Sequence, residues 1–154
     1  MKGLIYFLSS EVPSFYSKYL CDGGLLLISR YPIIENDFIP YYLNISGDSV
    51  SKKGALYAKI QIGKNFLFLF NTHLQASYYE DNYETFNYTV QTRTYQTEEL
   101  INFVYNKILK TPRNEIINGK IILLGDFNID AHDHFFAKKI YNIPKYKISE
   151  YEVL

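Results

Sequence analysis

Tryptophan is absent from this 154-residue chain, cysteine and methionine occur once each, and the charges cancel. Each scarcity closes a route. With Cys21 alone there is no internal disulfide framework and no metal centre built on several thiolates. Sixteen basic residues against sixteen acidic ones give a formal net charge of zero. The total therefore carries no basic footprint for a nucleic-acid backbone. No apolar run approaches the roughly 18 residues that a membrane-spanning helix needs. Residues 1–10 have a short apolar core, but no small-residue cleavage site precedes Glu11-Val12-Pro13, so they are not read as a signal peptide. The Asn-x-Ser/Thr triplets at Asn44 and Asn87 are read as chance in an Asn-, Ser- and Thr-rich chain, and the compartment stays open.

What is abundant is aromatic: 16 Tyr and 11 Phe in a chain that is 47% hydrophobic and 21% charged. This balance predicts a packed core, and tyrosine with β-branched residues favours strands. The length suits one domain, able to bury roughly 70% of its unfolded surface. No repeat, linker or second domain is visible.

Short strands are expected at residues 4–8 and 25–29, the second after the turn Asp22-Gly23-Gly24. Residues 33–43 read as extended, with Pro40 confining them to a sheet edge, and 44–53 as a polar loop. Residues 55–62 alternate Leu56, Ala58, Ile60 and Ile62 with Tyr57, Lys59 and Gln61. Gly63-Lys64-Asn65 turns the chain into the apolar run 66–70, which completes a hairpin. After a tyrosine-rich loop over 76–88, Thr89 is the expected N-cap of a helix to about Lys110. Its apolar stripe is Leu100, Val104 and Ile108, flanked by Ile101 and Leu109. Pro112 and Gly119 lead into the run Ile121-Ile122-Leu123-Leu124, which predicts a strand buried on both faces and ending at Gly125. A short helix over 133–141 and an extended tail from 146 are expected to follow.

Two polar groups stand at the ends of apolar strands. Asp126 and Asn128 follow Gly125, and His73 follows the run 66–70. An ionised aspartate can orient or deprotonate a water, or hold a divalent cation. Asparagine can orient a nucleophile or a phosphoryl oxygen. Histidine can stabilise developing oxyanion charge. Each has an ordinary alternative: Asp126 and Asn128 as an Asx turn, His73 as a structural histidine. His132 and His134 read as exposed residues at a loop–helix junction.

Taken in order, the motifs resemble one family. Asn71-Thr72-His73-Leu74-Gln75-Ala76 and Gly125-Asp126-Phe127-Asn128 look like the endonuclease/exonuclease/phosphatase superfamily of metal-dependent phosphoesterases. Arg93 and Gln96 resemble its Arg-x-x-Gln helix. Asp22-Gly23-Gly24, Lys53-Gly54-Ala55 and Thr72-His73-Leu74-Gln75-Ala76 are similar to the neutral sphingomyelinase branch. The resemblance implies an α/β fold, a two-sheet sandwich flanked by helices, with a cleft at the strand ends. It implies Asp126 as the aspartate that positions water, Asn128 as the asparagine that orients it and the phosphate, and His73 as the histidine that stabilises the phosphorane. It implies Mg²⁺ as cofactor and hydrolysis of a sphingomyelin-like phospholipid to ceramide and phosphocholine. Peripheral membrane contact follows from that substrate, and no nucleic acid is expected.

Two parts of the family pattern have no match. Residues 1–20 supply no upstream Asn and metal-ligating Glu, Glu11 being a poor match, and no terminal Ser-Asp-His follows. The expectation is a single partial phosphoesterase domain over 1–154, incomplete at both ends, with the main metal carboxylate outside the chain. The alternatives are a nuclease or phosphoinositide phosphatase of the same superfamily, or a catalytically inactive interaction remnant.

Overall fold

The computed structural model describes residues 5–78 and 83–129. In chain order the strands are β1 (Tyr6–Ser9), β2 (Cys21–Asp22), β3 (Leu26–Ser29), β4 (Ile33–Pro40), β5 (Ser51–Lys52), β6 (Gly54–Ile62), β7 (Asn65–His73) and β8 (Gly119–Asp126). Helices α1 (Tyr83–Lys110) and α2 (Arg113–Ile117) lie between β7 and β8. The main sheet runs β4-β6-β7-β8, antiparallel as far as β7 and parallel between β7 and β8. β1 and β3 form a second, antiparallel sheet, and β2 pairs in parallel with β5. Pro40 ends β4 at the sheet edge, where its missing N–H costs no ladder bond.

The alternation along β6 divides the core into two layers. Leu56, Ala58 and Ile60 face Leu25 and Leu27, joining the main sheet to the small one. Ala55 and Tyr57, with Phe68 and Phe70 of β7, face Leu100 and Phe103 of α1. The rings of Tyr57 and Phe70 are 5.0 Å apart, and Phe103 meets Phe70 edge-on at 5.9 Å. Such pairs add about 0.5–1.5 kcal/mol each beyond their buried area. The result is the expected two-sheet sandwich with a helix on its outer face.

Three local expectations are corrected. Helix α1 starts at Tyr83, ahead of Thr89, so Thr89 lies inside it and its hydroxyl donates to the Phe86 carbonyl at 2.6 Å. Burial of Phe86 explains the earlier start: it anchors an added turn and a half on the core side. The polar stretch 44–53 holds one turn of 3-10 helix, Ser46–Val50, and then β5. Finally, β8 is not buried on both faces: Ile121, Ile122, Leu123 and Leu124 are 40–49% exposed. It is an edge strand, paired only with β7 among the described residues. The helix expected over 133–141 and the extended tail from 146 lie outside the described residues. No helix among the described residues is long and apolar enough to cross a membrane.

Candidate active site

Parallel strands need a long crossover, and α1 with α2 supplies it between β7 and β8. Parallel pairing brings the C-terminal ends of both strands to one level. The register sets His73 directly beside Asp126 and Thr72 beside Gly125. Gly125 is required here: its φ is +141°, and a Cβ would sit 2.0 Å from the Thr72 carbonyl oxygen. Thr72 is itself fixed, its hydroxyl donating to the Gly54 carbonyl at 3.2 Å and accepting from Tyr41 at 2.5 Å. Burial pushes the Tyr41 hydroxyl's ionisation far up, against a smaller opposing effect of that bond, so it stays a donor.

His73 Nδ1 lies 3.2 Å from the Gly23 carbonyl, which can only accept, so Nδ1 carries the proton. Nε2 then faces Asp126 Oδ2 at 3.9 Å. Gly23, just past β2, passes close to β5: a Cβ there would lie 2.6 Å from the Lys52 carbonyl oxygen. The turn at Asp22-Gly23-Gly24 therefore acts through its backbone, by setting the histidine tautomer.

Asp126 and Asn128 do form the Asx turn, the Asn128 N–H donating to Asp126 Oδ1 at 2.9 Å. Asn128 takes a φ of +52°, a conformation asparagine tolerates better than most residues. The turn uses one carboxylate oxygen and leaves the other toward His73, so the two readings of this pair coexist. Asn128 Nδ2 donates to the Leu74 carbonyl at 2.9 Å, and the Leu74 N–H donates to the Asp126 carbonyl at 2.9 Å. His73, Asp126 and Asn128 are thus brought together at one strand end. His132 and His134 fall outside the described residues.

Five further residues hold this end in place, and their motifs carried no roles in the sequence. Lys53 is buried and donates to the Leu74 carbonyl at 2.9 Å and to Asp48 at 2.7 Å. Asp48 also accepts the Ala76 N–H at 2.7 Å. Arg93, Gln96 and Gln75 are fully buried beside them. The three-residue spacing of Arg93 and Gln96, one helical face, is the signal that points to them.

A resident Mg²⁺ does not fit the described donors alone. No three His, Cys, Asp or Glu side chains converge among the described residues. Asp126 offers one free carboxylate oxygen, whereas such a cation takes about six oxygens around it.

No family model matches the chain. A sphingomyelinase of Dictyostelium discoideum is 33% identical, the match covering 84% of this chain and 32% of that protein. Sphingomyelinase C of Bacillus cereus is 32% identical over 71% of this chain and 30% of its own length. A beta toxin variant of Staphylococcus aureus, solved with bound magnesium ions, superposes with a TM-score of 0.64 at 25% identity, covering 86% of this chain and 43% of that one. The chain spans about a third of the length of the curated relatives it matches. The fold is that of the endonuclease/exonuclease/phosphatase class, present here in part. Within that class the chain resembles the sphingomyelinase branch.

Proposed function

We propose that residues 1–154 are one partial phosphoesterase domain and serve a phosphodiester hydrolase acting on a sphingomyelin-like phospholipid. The observation that carries this reading is the register pair His73 and Asp126, with the histidine proton held on Nδ1 by Gly23. In this reading Asp126 Oδ2 accepts a proton from the attacking water. His73, when cationic, donates Nε2–H to a phosphoryl oxygen as charge builds there. Asn128, held by Leu74, presents its remaining amide hydrogen to the phosphate. Water adds to phosphorus, the phosphorus–oxygen bond to the alcohol breaks, the leaving oxygen takes a proton from solvent, and a phosphomonoester is released. Mg²⁺ is proposed as the cofactor by likeness to the relatives. No ligand among the described residues and no step is assigned to it here.

The test is hydrolysis of sphingomyelin, a phosphoinositide and plasmid DNA, each across a Mg²⁺ titration. Sphingomyelin should be preferred, and Asp126→Ala should lower its turnover by about 10²–10⁴-fold. Preference for DNA would replace the lipid reading by a nuclease, and unchanged turnover in Asp126→Ala would remove Asp126 from the chemistry. The neutral charge total argues against DNA, which is bound chiefly through its phosphates.

A further inference from the structure

Beyond His73 the strand pairing stops, yet no backbone group of residues 74–76 is left unbonded. The Leu74 N–H goes to the Asp126 carbonyl, the Gln75 N–H to Gln96 Oε1 at 2.7 Å, and the Ala76 N–H to Asp48. The Leu74 carbonyl accepts from Asn128 and Lys53, the Gln75 carbonyl from Arg93 at 3.0 Å, and the Ala76 carbonyl from the Gln75 side chain at 3.2 Å. Side chains have taken over the work of a sheet ladder. Gln96 ties this segment to a second loop. Its Nε2 donates to the Leu43 carbonyl at 2.7 Å and to Asn44 Oδ1 at 2.9 Å. Gln75 closes the same circuit through the Ile45 N–H at 2.9 Å and the Ile45 carbonyl at 3.3 Å.

We propose that Gln96 is a positioning residue for Asn128. It fixes the Gln75 N–H and so the peptide plane between Leu74 and Gln75, whose carbonyl oxygen holds Asn128 Nδ2. The proposal deepens the reading of Asn128 as a phosphate-orienting group and rests on it for its functional meaning. The geometric claim can be tested without turnover. Asparagine has two amide hydrogens on Nδ2, and the one given to Leu74 is the one that orients the carboxamide. Loosening the carbonyl frees the side chain to rotate, with no contact between Gln96 and the asparagine itself. Arg93 acts on the far carbonyl of the same peptide segment and is the weaker lever on Leu74.

The experiment is nuclear magnetic resonance of the ¹⁵N-labelled chain, with the Asn128 side-chain amide identified by its loss in Asn128→Ala. Gln96→Met keeps length and burial but removes both functions. It should speed hydrogen exchange at the Asn128 amide by about tenfold, the equivalent of roughly one lost hydrogen bond. Gln96→Glu keeps the acceptor for the Gln75 N–H and should give a smaller change. Leu100→Ala weakens the same helix through the apolar core and should leave the amide signal in place while lowering the melting temperature. If Gln96→Met melts earlier but leaves the Asn128 amide untouched, Gln96 is a structural clamp only and the proposal fails. It fails equally if Leu100→Ala moves the amide as far. Should Gln96→Met not fold, Gln96→Leu, which removes the same acceptor with a shorter side chain, decides alone: an Asn128 amide identical to wild type overturns the assignment. Absence of phospholipid hydrolysis by the wild type would sink the functional reading and leave this geometric result standing.

Discussion

Helix α1 buries its inner face from Phe86 to Phe103, and beyond the apolar anchor Phe86 its two halves are buried by opposite means. In the first, Thr89, Thr92, Arg93 and Gln96 face inward; in the second, Leu100 and Phe103, with Val104 and Ile108 packed alongside. The apolar half lies over β6 and β7, where the ladder already satisfies the backbone and area removed from water is all that is needed. The polar half lies over residues 43–45 and 74–76, where strand pairing has ended and carbonyls and N–H groups need partners. Apolar burial is non-directional and holds the helix on the sheet. Hydrogen bonds are directional and hold a loop in one shape. The site sits at the polar end because that is the end that can be shaped.

If this division is right, substitutions in the two halves should fail differently. Phe103→Ala should be the costliest, losing about 3–5 kcal/mol in urea unfolding, since its ring contacts both Tyr57 and Phe70. Yet the fraction that remains folded should keep a native Asn128 environment. Arg93→Met should cost less, about 2–3 kcal/mol, the range for a charge-assisted bond and a stranded buried carbonyl. Unlike Phe103→Ala, it should change the amide signals of residues 74–76 in the folded state. Equal local changes from both substitutions would erase the distinction between the halves.

The same division explains what could be read from the sequence. The hairpin of β6 and β7, the apolar stripe of α1 and the apolar run of β8 announce themselves because apolar spacing is a local property. The inner face of residues 89–96 does not: Thr, Arg and Gln at helical spacing look like a solvated surface, while the start of the helix at Tyr83 was hidden because the tyrosine-rich stretch 76–88 reads as a loop. The burial of Arg93 and Gln96 depends on carbonyls 18 and 53 positions away in sequence, which no window of residues contains. The exposure of β8 was hidden for the converse reason. Four aliphatic residues predict burial, but only the neighbours decide whether it happens. At the candidate site, the motifs singled out Asp126, Asn128 and His73, which the fold brings together at one strand end. The tautomer of His73 was not legible, since it comes from the Gly23 backbone, and neither were the roles of Lys53, Asp48 and Gln75.

A smaller test concerns the rim of the apolar half. Lys107 reaches Asp37 at 2.8 Å and Glu35 at 3.5 Å, with its ammonium 5.0 Å from the centre of the Tyr57 ring. Burial pushes Asp37 up, but the Lys107 and Phe38 hydrogen bonds and the Lys107 and Lys110 charges outweigh it and hold the carboxyl below its ordinary 3.8. A depressed carboxylate stabilises the fold above its unfolded value and loses that contribution as pH falls through the folded one. Lys107→Met should therefore cost about 1 kcal/mol at pH 7, given the half-exposed partners. Urea midpoints of variant and wild type should draw closer below pH 3.8. A gap that stays undiminished in acid would mean that the lysine acts through its stem and the Tyr57 ring and not through the carboxylates.

The seam between the two halves is Glu99, and it gives the smallest effect and the sharpest sign. Its carboxylate accepts the Tyr42 N–H at 3.2 and 3.3 Å, just beside the loop that Gln96 holds. Burial raises its pKa above the ordinary 4.5, and the Tyr42 hydrogen bond opposes this only in part. A raised folded value means the folded state binds the proton more tightly. That contribution to stability is fully present below the unfolded value and is lost as pH rises through the folded one. The ionised side chain is then a small burden at pH 7, and Glu99→Gln, which keeps an acceptor for Tyr42, should relieve it. Stability should rise by no more than about 0.5 kcal/mol at pH 7 and show no gain in acid, where wild-type Glu99 is already neutral. A loss at pH 7 would show that the charge strengthens the Tyr42 bond more than burial penalises it. In that event the directional half of the helix would extend three residues further, from Gln96 to Glu99, to the edge of Leu100.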